Sequence, residues 1–339
     1  MIVVGAGLAG LSVASELAEV EKVLLVDEKP TDYNRRQADA KYCDPHETLL
    51  PYVEEQGLTE AILQTFDTME IQTATKTYQF KTSVAHCTLD YNKLRQIIRR
   101  KARGEFLQGS VTEATTQSIT VDGKIFWSRV LVDASGWSAA VASRIQPGYA
   151  DEKKLTPIIA TLVDYHLEHV IYFVEPAEKT GGFIVPLGEK AFAGIGSHAG
   201  RTDLEPVLAK VLSEKGLSPG VVTHGFIPCH GLREPTVAEK VFVVGDAAGQ
   251  SKPIRGKGIL RSTLYGRKCG QLIREVLNGQ KTLNTALEEY RDYVYEEKFI
   301  YDLLYLVQRS MVSLPSWVSS FGTAITANRL FAGLFDRMY

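Results

Sequence analysis

The 339-residue chain has only four cysteines, Cys43, Cys87, Cys229 and Cys269, with no CxxC pair and no Cys/His cluster of zinc spacing. A disulfide scaffold and a zinc fold are excluded, and a reducing compartment is expected. There is no apolar run of about 18 residues, so no membrane-spanning helix is expected. Met1 leads directly into an apolar strand without the basic region of a signal peptide, which points to the cytoplasm. Nor is there an excess of charge of either sign: 38 Lys and Arg stand against 40 Asp and Glu, a net charge of −2. Without a global positive field, no nucleic-acid partner is expected. What is present is ordinary globular material, 45% hydrophobic and 23% charged, at a length that favours two domains or one large interrupted one.

The opening thirty residues read as a βαβ unit: a strand at Ile2–Val4, a helix over Leu11–Val20 with Ala14, Leu17 and Ala18 on one face, and a strand at Val23–Val26. A helix is predicted over Glu54–Phe66, strands over Met69–Leu89, and a helix over Asn92–Arg103. Asp122-Gly123 between Ser118–Val121 and Lys124–Trp127 is a hairpin signal, because both turn residues tolerate positive φ. A buried strand at Val130–Val132 follows. From Pro157 to Pro228 come strands at 158–163, 170–174, 182–185 and 191–195 and one helix over Leu204–Lys215, read as a mixed sheet. The strand Val241–Val244 returns to the opening pattern, and a helix over Gly258–Leu277 follows it. The remainder is expected to be helical, with Ile300, Leu303, Leu304, Val307 and Met311 on one face.

Gly5-Ala6-Gly7-Leu8-Ala9-Gly10 has the GxGxxG form between a strand and a helix, the context that gives the motif meaning. Gly5 allows the tight turn, Gly7 lets a pyrophosphate reach the backbone, and Gly10 permits close helix packing. Asp27 ends the second strand, where its carboxylate would accept the two hydroxyls of an adenosine ribose and disfavour a 2′-phosphate. FAD and NAD both satisfy this loop.

A second glycine cluster, Val243-Val244-Gly245-Asp246-Ala247-Ala248-Gly249-Gln250, precedes Pro253 and Gly256-Lys257-Gly258 at the predicted start of a helix. Between the two clusters lie Asp133-Ala134-Ser135-Gly136 at a strand end and Leu89-Asp90-Tyr91-Asn92-Lys93-Leu94 at a helix opening. In this order the motifs resemble the flavoproteins of the p-hydroxybenzoate hydroxylase type, and among them the geranylgeranyl reductases, over roughly residues 1–275. The family's usual arginine is Tyr91 here. The resemblance implies FAD, with Asp246 on the ribityl chain. The helix start around Gly256 and Gly258 would lie near the flavin edge that carries negative charge on reduction. With Ala9, Arg36 and Ile259, the candidate cofactor set is Gly5, Gly7, Ala9, Gly10, Asp27, Arg36, Gly245, Asp246, Gly256, Lys257, Gly258 and Ile259.

The expected fold is α/β: a Rossmann-like FAD-binding domain of the glutathione reductase type, an inserted mixed-sheet substrate domain and a helical C-terminal tail. Residues 1–68, 90–150 and 231–280 are read as FAD-binding, 69–89 and 151–230 as the substrate domain, and 281–339 as the helical region. Three features lean toward the prenyl reductases: the Gly245–Pro253 run, Cys43 after the basic Arg35-Arg36, and Gly182-Phe183-Ile184-Val185-Pro186 in the place of their aromatic substrate motif. Only Pro186 is retained from that Tyr-x-Trp-x-Phe-Pro motif, with Gly181, Phe183 and Val185 at its aromatic positions. The expected reaction is reduction of isoprenoid double bonds by FAD, reloaded by NAD(P)H or another reductant, with Cys43 as the candidate acid beside the ring or, alternatively, a buried small hydrophobe. Arg255 and Lys257 are read either as stabilisers of reduced flavin or a substrate head group, or as a solvated basic loop. Competing readings are a flavin-dependent aromatic or polyketide hydroxylase and a non-catalytic prenyl-binding protein. A tail carrying Trp317, Phe321, Phe331 and Phe335 would cover the core or rest on a lipid surface.

Overall fold

The computed structural model describes residues 1–19, 22–30, 41–43, 53–54, 56–73, 76–151, 155–175, 177–238, 240–254 and 256–313, with backbone alone at 41–43 and 82–84. Residues Met1–Asn34, Arg95–Lys154 and Pro228–Tyr305 form one compact unit, and Arg35–Leu94, Leu155–Ile227 and Leu306–Tyr339 a second.

In the first unit six short strands build a largely parallel sheet: β1 (Ile2–Val4), β2 (Leu24–Asp27), β6 (Glu105–Gln108), β10 (Leu131–Asp133), β16 (Thr236–Val237) and β17 (Val241–Val243), in the order β16-β17-β10-β1-β2-β6. Only β16 runs antiparallel to its neighbour. Strands buried on both faces explain the unbroken Val, Ile and Leu runs. Two helices pack on it, α1 (Leu8–Ser15) after β1 and α5 (Ile259–Leu277) after β17. Helix α1 begins at Leu8, so the helix opens directly on Gly7. A three-stranded sheet, β7 (Val111–Ala114), β8 (Ser118–Val121) and β9 (Lys124–Trp127), covers the core through Ile119 and Val121. Its hairpin turn is the one expected, with Asp122 at φ 49° and Gly123 at φ 75°.

The second unit is a mixed sheet of eight strands, β15-β11-β14-β13-β12-β4-β5-β3, in which only the β12–β4 pair is parallel. Its members are β3 (Lys41–Cys43), β4 (Ile62–Gln72), β5 (Thr77–Leu89), β11 (Thr156–Val163), β12 (Val170–Glu175), β13 (Thr180–Leu187), β14 (Lys190–Gly196) and β15 (Thr223–Ile227). One face packs Ile159, Ile171, Ile184 and Ile195 against Val207, Leu208, Val211 and Leu212, all four on helix α4 (Glu205–Ser213). The other face holds Phe66, Met69, Val170, Val185 and Phe192.

Two sequence expectations change. The helix predicted over Glu54–Phe66 gives way at Ile62 to β4, preceded by a single 3-10 turn at Thr59–Ala61. Exposed Leu63, Thr65 and Asp67 alternate with more buried neighbours, a period of two that the helical reading overlooked. Among the C-terminal elements α6 (Leu283–Tyr295) and α7 (Lys298–Ser313), the buried face of α7 is Tyr301, Leu304 and Gln308, whereas Val307 is exposed. A tyrosine that finds a partner for its hydroxyl outcompetes an aliphatic stripe one step around the helix. Trp317, Phe321, Phe331 and Phe335 lie outside the described residues.

At the end of β10, fully buried Asp133 accepts hydrogen bonds from the Ser135 amide (3.1 Å) and hydroxyl (2.6 Å) and from the amides of Val141 (2.9 Å) and Ala142 (2.7 Å). Burial pushes its carboxyl above the usual range, and the four donors oppose that shift. Replacing Asp133 by Ala strands buried amides without an acceptor. An Asp133→Ala variant is therefore expected to lose at least about 3 kcal/mol in denaturant unfolding, and a loss near zero would show that the loop finds other acceptors.

A candidate dinucleotide site built on two glycine turns

The two glycine turns meet because α1 and α5 touch backbone to backbone. Gly266 and Gly270 lie one turn apart on α5. A Cβ at Gly266 would stand 2.6 Å from the Ala9 carbonyl oxygen, and one at Gly270 would stand 2.7 Å from that of Val13. Any larger side chain would push the helices apart. Glu16, just beyond α1, adds a clasp, with its carboxylate 2.8 Å from Arg267 and 3.5 Å from Arg274. At the top of the same contact, a Cβ at Gly245 would stand 2.8 Å from the Cβ of Ala9.

In the first turn the glycines divide as their roles require. A Cβ at Gly10 would lie 1.9 Å from the Gly5 carbonyl oxygen, so that position is closed by the turn itself. Gly7 differs: its φ is −75°, open to any residue, and nothing lies within 4 Å of the place a Cβ would occupy. The protein's own packing does not require glycine there, and the open space before a helix N-terminus is the cradle a pyrophosphate needs. Asp27 lies beside it, its Oδ2 accepting the Ala6 amide at 2.6 Å and its Oδ1 the Lys29 amide at 2.9 Å. The acid expected to hold a ribose thus also fixes the loop. Each carboxylate oxygen keeps a second lone-pair direction for a hydroxyl.

The second turn is held by groups the sequence reading did not single out. Gln250 is 1% exposed; its Oε1 accepts the Gly245 amide at 2.6 Å and its Nε2 donates to the Tyr290 hydroxyl at 3.1 Å. Tyr290 donates on to the Val243 carbonyl at 3.2 Å, and Tyr301 donates to the Gln250 carbonyl at 2.8 Å. Helices α6 and α7 thereby lock the Gly245–Gln250 turn from behind. Buried Arg233 donates to the carbonyls of Trp137 and Ala247, both at 3.1 Å. Its guanidinium places a positive charge beside Asp246, although burial lowers its own pKa. Asp246 Oδ1 accepts the Ser251 hydroxyl at 2.6 Å. Lys252 and Lys257 close the following loop, the Lys252 amide donating to the Lys257 carbonyl at 3.0 Å. The Gly256 amide donates to the Lys252 carbonyl at 3.0 Å, so that donor is already engaged within the loop. Gly258 caps α5, and Ile259 is its first residue.

The remaining candidates lie elsewhere. Arg36 and Arg255 fall outside the described residues. Cys43 is the last residue of β3, directly across the ladder from Cys87 of β5. Val185 is fully enclosed in the sheet core, Pro186 is buried opposite Ala191, and Phe183 lies over Gly194, its ring 6.0 Å from that of Phe192. Among the described residues no group of three metal-ligating side chains occurs and no helix is long and apolar enough to cross a membrane.

No family model matches the chain. In sequence it is 29% identical over 193 residues to a digeranylgeranylglycerophospholipid reductase of Methanococcus aeolicus, covering 52% of this chain and 48% of that protein. It is 35% identical over 111 residues to digeranylgeranylglycerophospholipid reductase 2 of Methanococcoides burtonii, covering 31% and 27%. The similarity is thus to digeranylgeranylglycerophospholipid reductases, over about half of this chain or less. These matches span less than half the length of the curated relatives. A geranylgeranyl bacteriochlorophyll reductase-like protein of Thermoplasma acidophilum shares the fold, with a TM-score of 0.81 at 15% identity over 97% of this chain and 91% of that one. The flavin-dependent brominase Bmp2 follows the same path, with a TM-score of 0.72 at 16% identity over 99% and 92%. The fold is thus that of the reductase-like flavoproteins along almost the whole chain.

Two predictions follow from the geometry. Gly10→Ala is expected to cost about 3 kcal/mol or more in unfolding of the ligand-free protein, whereas Gly7→Ala stays within about 1 kcal/mol; equal losses would contradict the division of roles. Burial raises the Cys87 thiol to about 11 and that of Cys269 well above its usual range. Near neutral pH, iodoacetamide is expected to spare both in the native protein and to alkylate both after denaturation, as peptide mass spectrometry would read. Native labelling of Cys87 would contradict its burial.

Proposed function

We propose that the protein binds FAD across its two glycine turns and reduces carbon–carbon double bonds of a geranylgeranyl lipid or related isoprenoid. The observation that supports the cofactor most directly is the open space at Gly7 opposite a second turn carrying Asp246. The substrate class rests on the sequence similarity to digeranylgeranylglycerophospholipid reductases. When bound, FAD supplies a reversible two-electron carrier that NAD(P)H reduces and that passes a hydride to the alkene.

The chain's own residues do the remaining work. Gly7 and the first amides of α1 receive the pyrophosphate, and the helix dipole favours its charge. Asp27 accepts the adenosine ribose hydroxyls and, being anionic, disfavours a 2′-phosphate. Asp246, oriented by Ser251, accepts from the ribityl chain. Gly258 and Ile259 present the positive end of α5 to the flavin ring, with Lys257 one residue before it, and there a developing negative charge is stabilised. An isolated alkene is a poor hydride acceptor, so a proton must accompany the hydride, and Cys43 is the assigned acid. Phe183, with Val185 and Pro186 behind it, is assigned to the substrate face of the sheet. Contact with a lipid surface belongs to the same proposal, supported by Phe299, Leu306 and Val307 exposed along α7.

An absorbance spectrum of the purified protein, before and after FAD is supplied, tests the reading. Flavin bands that bleach anaerobically with dithionite and return on addition of a geranylgeranyl lipid are expected. Absence of flavin uptake would sink the proposal, and bands that return only with oxygen would move the assignment to a hydroxylase.

A further inference from the structure

Arg233 lies between β15 and β16 and is 8% exposed. Its Nη1 donates to two carbonyls from different loops, those of Trp137 and Ala247, both at 3.1 Å. Trp137 belongs to the loop that leads from β10 to helix α3 (Ala142–Ile145), and Ala247 follows Asp246 in the second glycine turn. The Arg233 amide adds a third tie, donating to the Ala248 carbonyl at 2.9 Å. The side chain passes close to Gly249, where a Cβ would stand 3.4 Å from the Arg233 Cγ, and the guanidinium carbon lies 5.9 Å from the centre of the Tyr149 ring.

Burying a guanidinium is unfavourable unless its charge and its donors are met, yet Nη2 is buried with no hydrogen-bond partner among the described residues. An uncharged side chain would avoid that desolvation, so stability alone does not explain the charge. Two acids stand in the loops that Arg233 joins. Asp133 is already committed to the Ser135 amide and hydroxyl and to the amides of Val141 and Ala142. Asp246 is oriented by the Ser251 hydroxyl at 2.6 Å, and its charge acts on Arg233. An anionic Asp246 would oppose a ligand that carries phosphates, and a fixed cation beside it removes much of that opposition. We propose that Arg233 is a positioning residue of the dinucleotide site: it docks the Asp246 turn on the loop after β10 and offsets the Asp246 charge, so that the carboxylate can accept from the ribityl chain of FAD. This rests on the proposed FAD function. It deepens that reading by giving the second turn a preference for the flavin half of the ligand.

The test is calorimetric binding of FAD and of ADP to the ligand-free protein carrying Arg233→Met or Arg233→Lys, each alone and combined with Asp246→Asn. ADP carries no ribityl chain, so its binding reports on the Gly5–Gly10 turn alone. Arg233→Met is expected to weaken FAD about tenfold or more with ADP affinity unchanged. Arg233→Lys keeps the charge without the planar guanidinium and should fall in between. In the Asp246→Asn background the same substitutions should change FAD affinity little, because Arg233 acts through that carboxylate. Unchanged FAD affinity in Arg233→Met would overturn the proposal. So would equal losses for FAD and ADP, which a residue that merely supports the fold would give, and so would losses that simply add to that of Asp246→Asn. Should Arg233→Met fail to fold, the Arg233→Lys cycle decides in the same terms. Failure of the wild-type protein to bind FAD would instead overturn the functional reading, and the positioning role with it.

Discussion

The contact between α1 and α5 is the constraint on which the rest of the first unit depends. Two sequence-distant turns, Gly5–Gly10 and Gly245–Gln250, form one site only if the helices that follow them run close together. Gly266 and Gly270 make this possible by presenting bare backbone to Ala9 and Val13. Glycine inside a helix costs about 1 kcal/mol relative to alanine, so two of them one turn apart are tolerated only where packing repays the loss. Here the return is a shared surface of helix starts. Glu16 then secures the far end of the contact through Arg267 and Arg274, partly buried ion pairs that set register more than they add stability.

The sequence carried most of the first unit. Gly5–Gly10, Asp27 and Gly245–Asp246 were legible because each needs a residue type that few other positions demand. The glycine pair in α5 was equally visible in the text and went unread, since helical periodicity attends to apolar residues and glycine has no side chain to count. The tyrosine latch was hidden for a different reason. Tyr290 and Tyr301 enter an apolar tally as bulk, and only the structure shows that each hydroxyl carries a hydrogen bond to the second turn. Arg233 was similarly silent, because a lone arginine is indistinguishable from a solvated one until the turn it touches is in place. The same holds for Arg95 on helix α2 (Tyr91–Lys101), whose Nε donates to the Ala6 carbonyl at 3.0 Å.

In the second unit the sequence was less informative, and β4 shows why. Ile62-Leu63-Gln64-Thr65-Phe66 offers too few apolar residues to separate a period of two from one of 3.6, and long-range pairing with β5 and β12 decides the outcome. The same sheet explains part of the departure from the family's aromatic motif. Val185 faces inward among Phe66, Met69, Val170 and Phe192, and the motif's phenyl ring there would overfill the core. Phe183 keeps an aromatic ring in the neighbourhood, lying over Gly194 on the adjacent strand, where the missing side chain makes room for it.

A common fold at 15% and 16% identity joins a reductase-like protein and a flavin-dependent brominase to this chain, so the architecture by itself does not fix the reaction. The physical basis is a division between the units. Every turn, cap and ion pair assigned to the dinucleotide belongs to the first unit, where backbone geometry does the binding and side-chain choice is narrow. The residues proposed to face the substrate belong to the second, a sheet in which each face tolerates exchange of apolar groups if volume is conserved. Substitution at Phe183 therefore leaves the glycine turns of the first unit in place, whereas substitution at Gly266 or Gln250 disturbs the packing that holds those turns together.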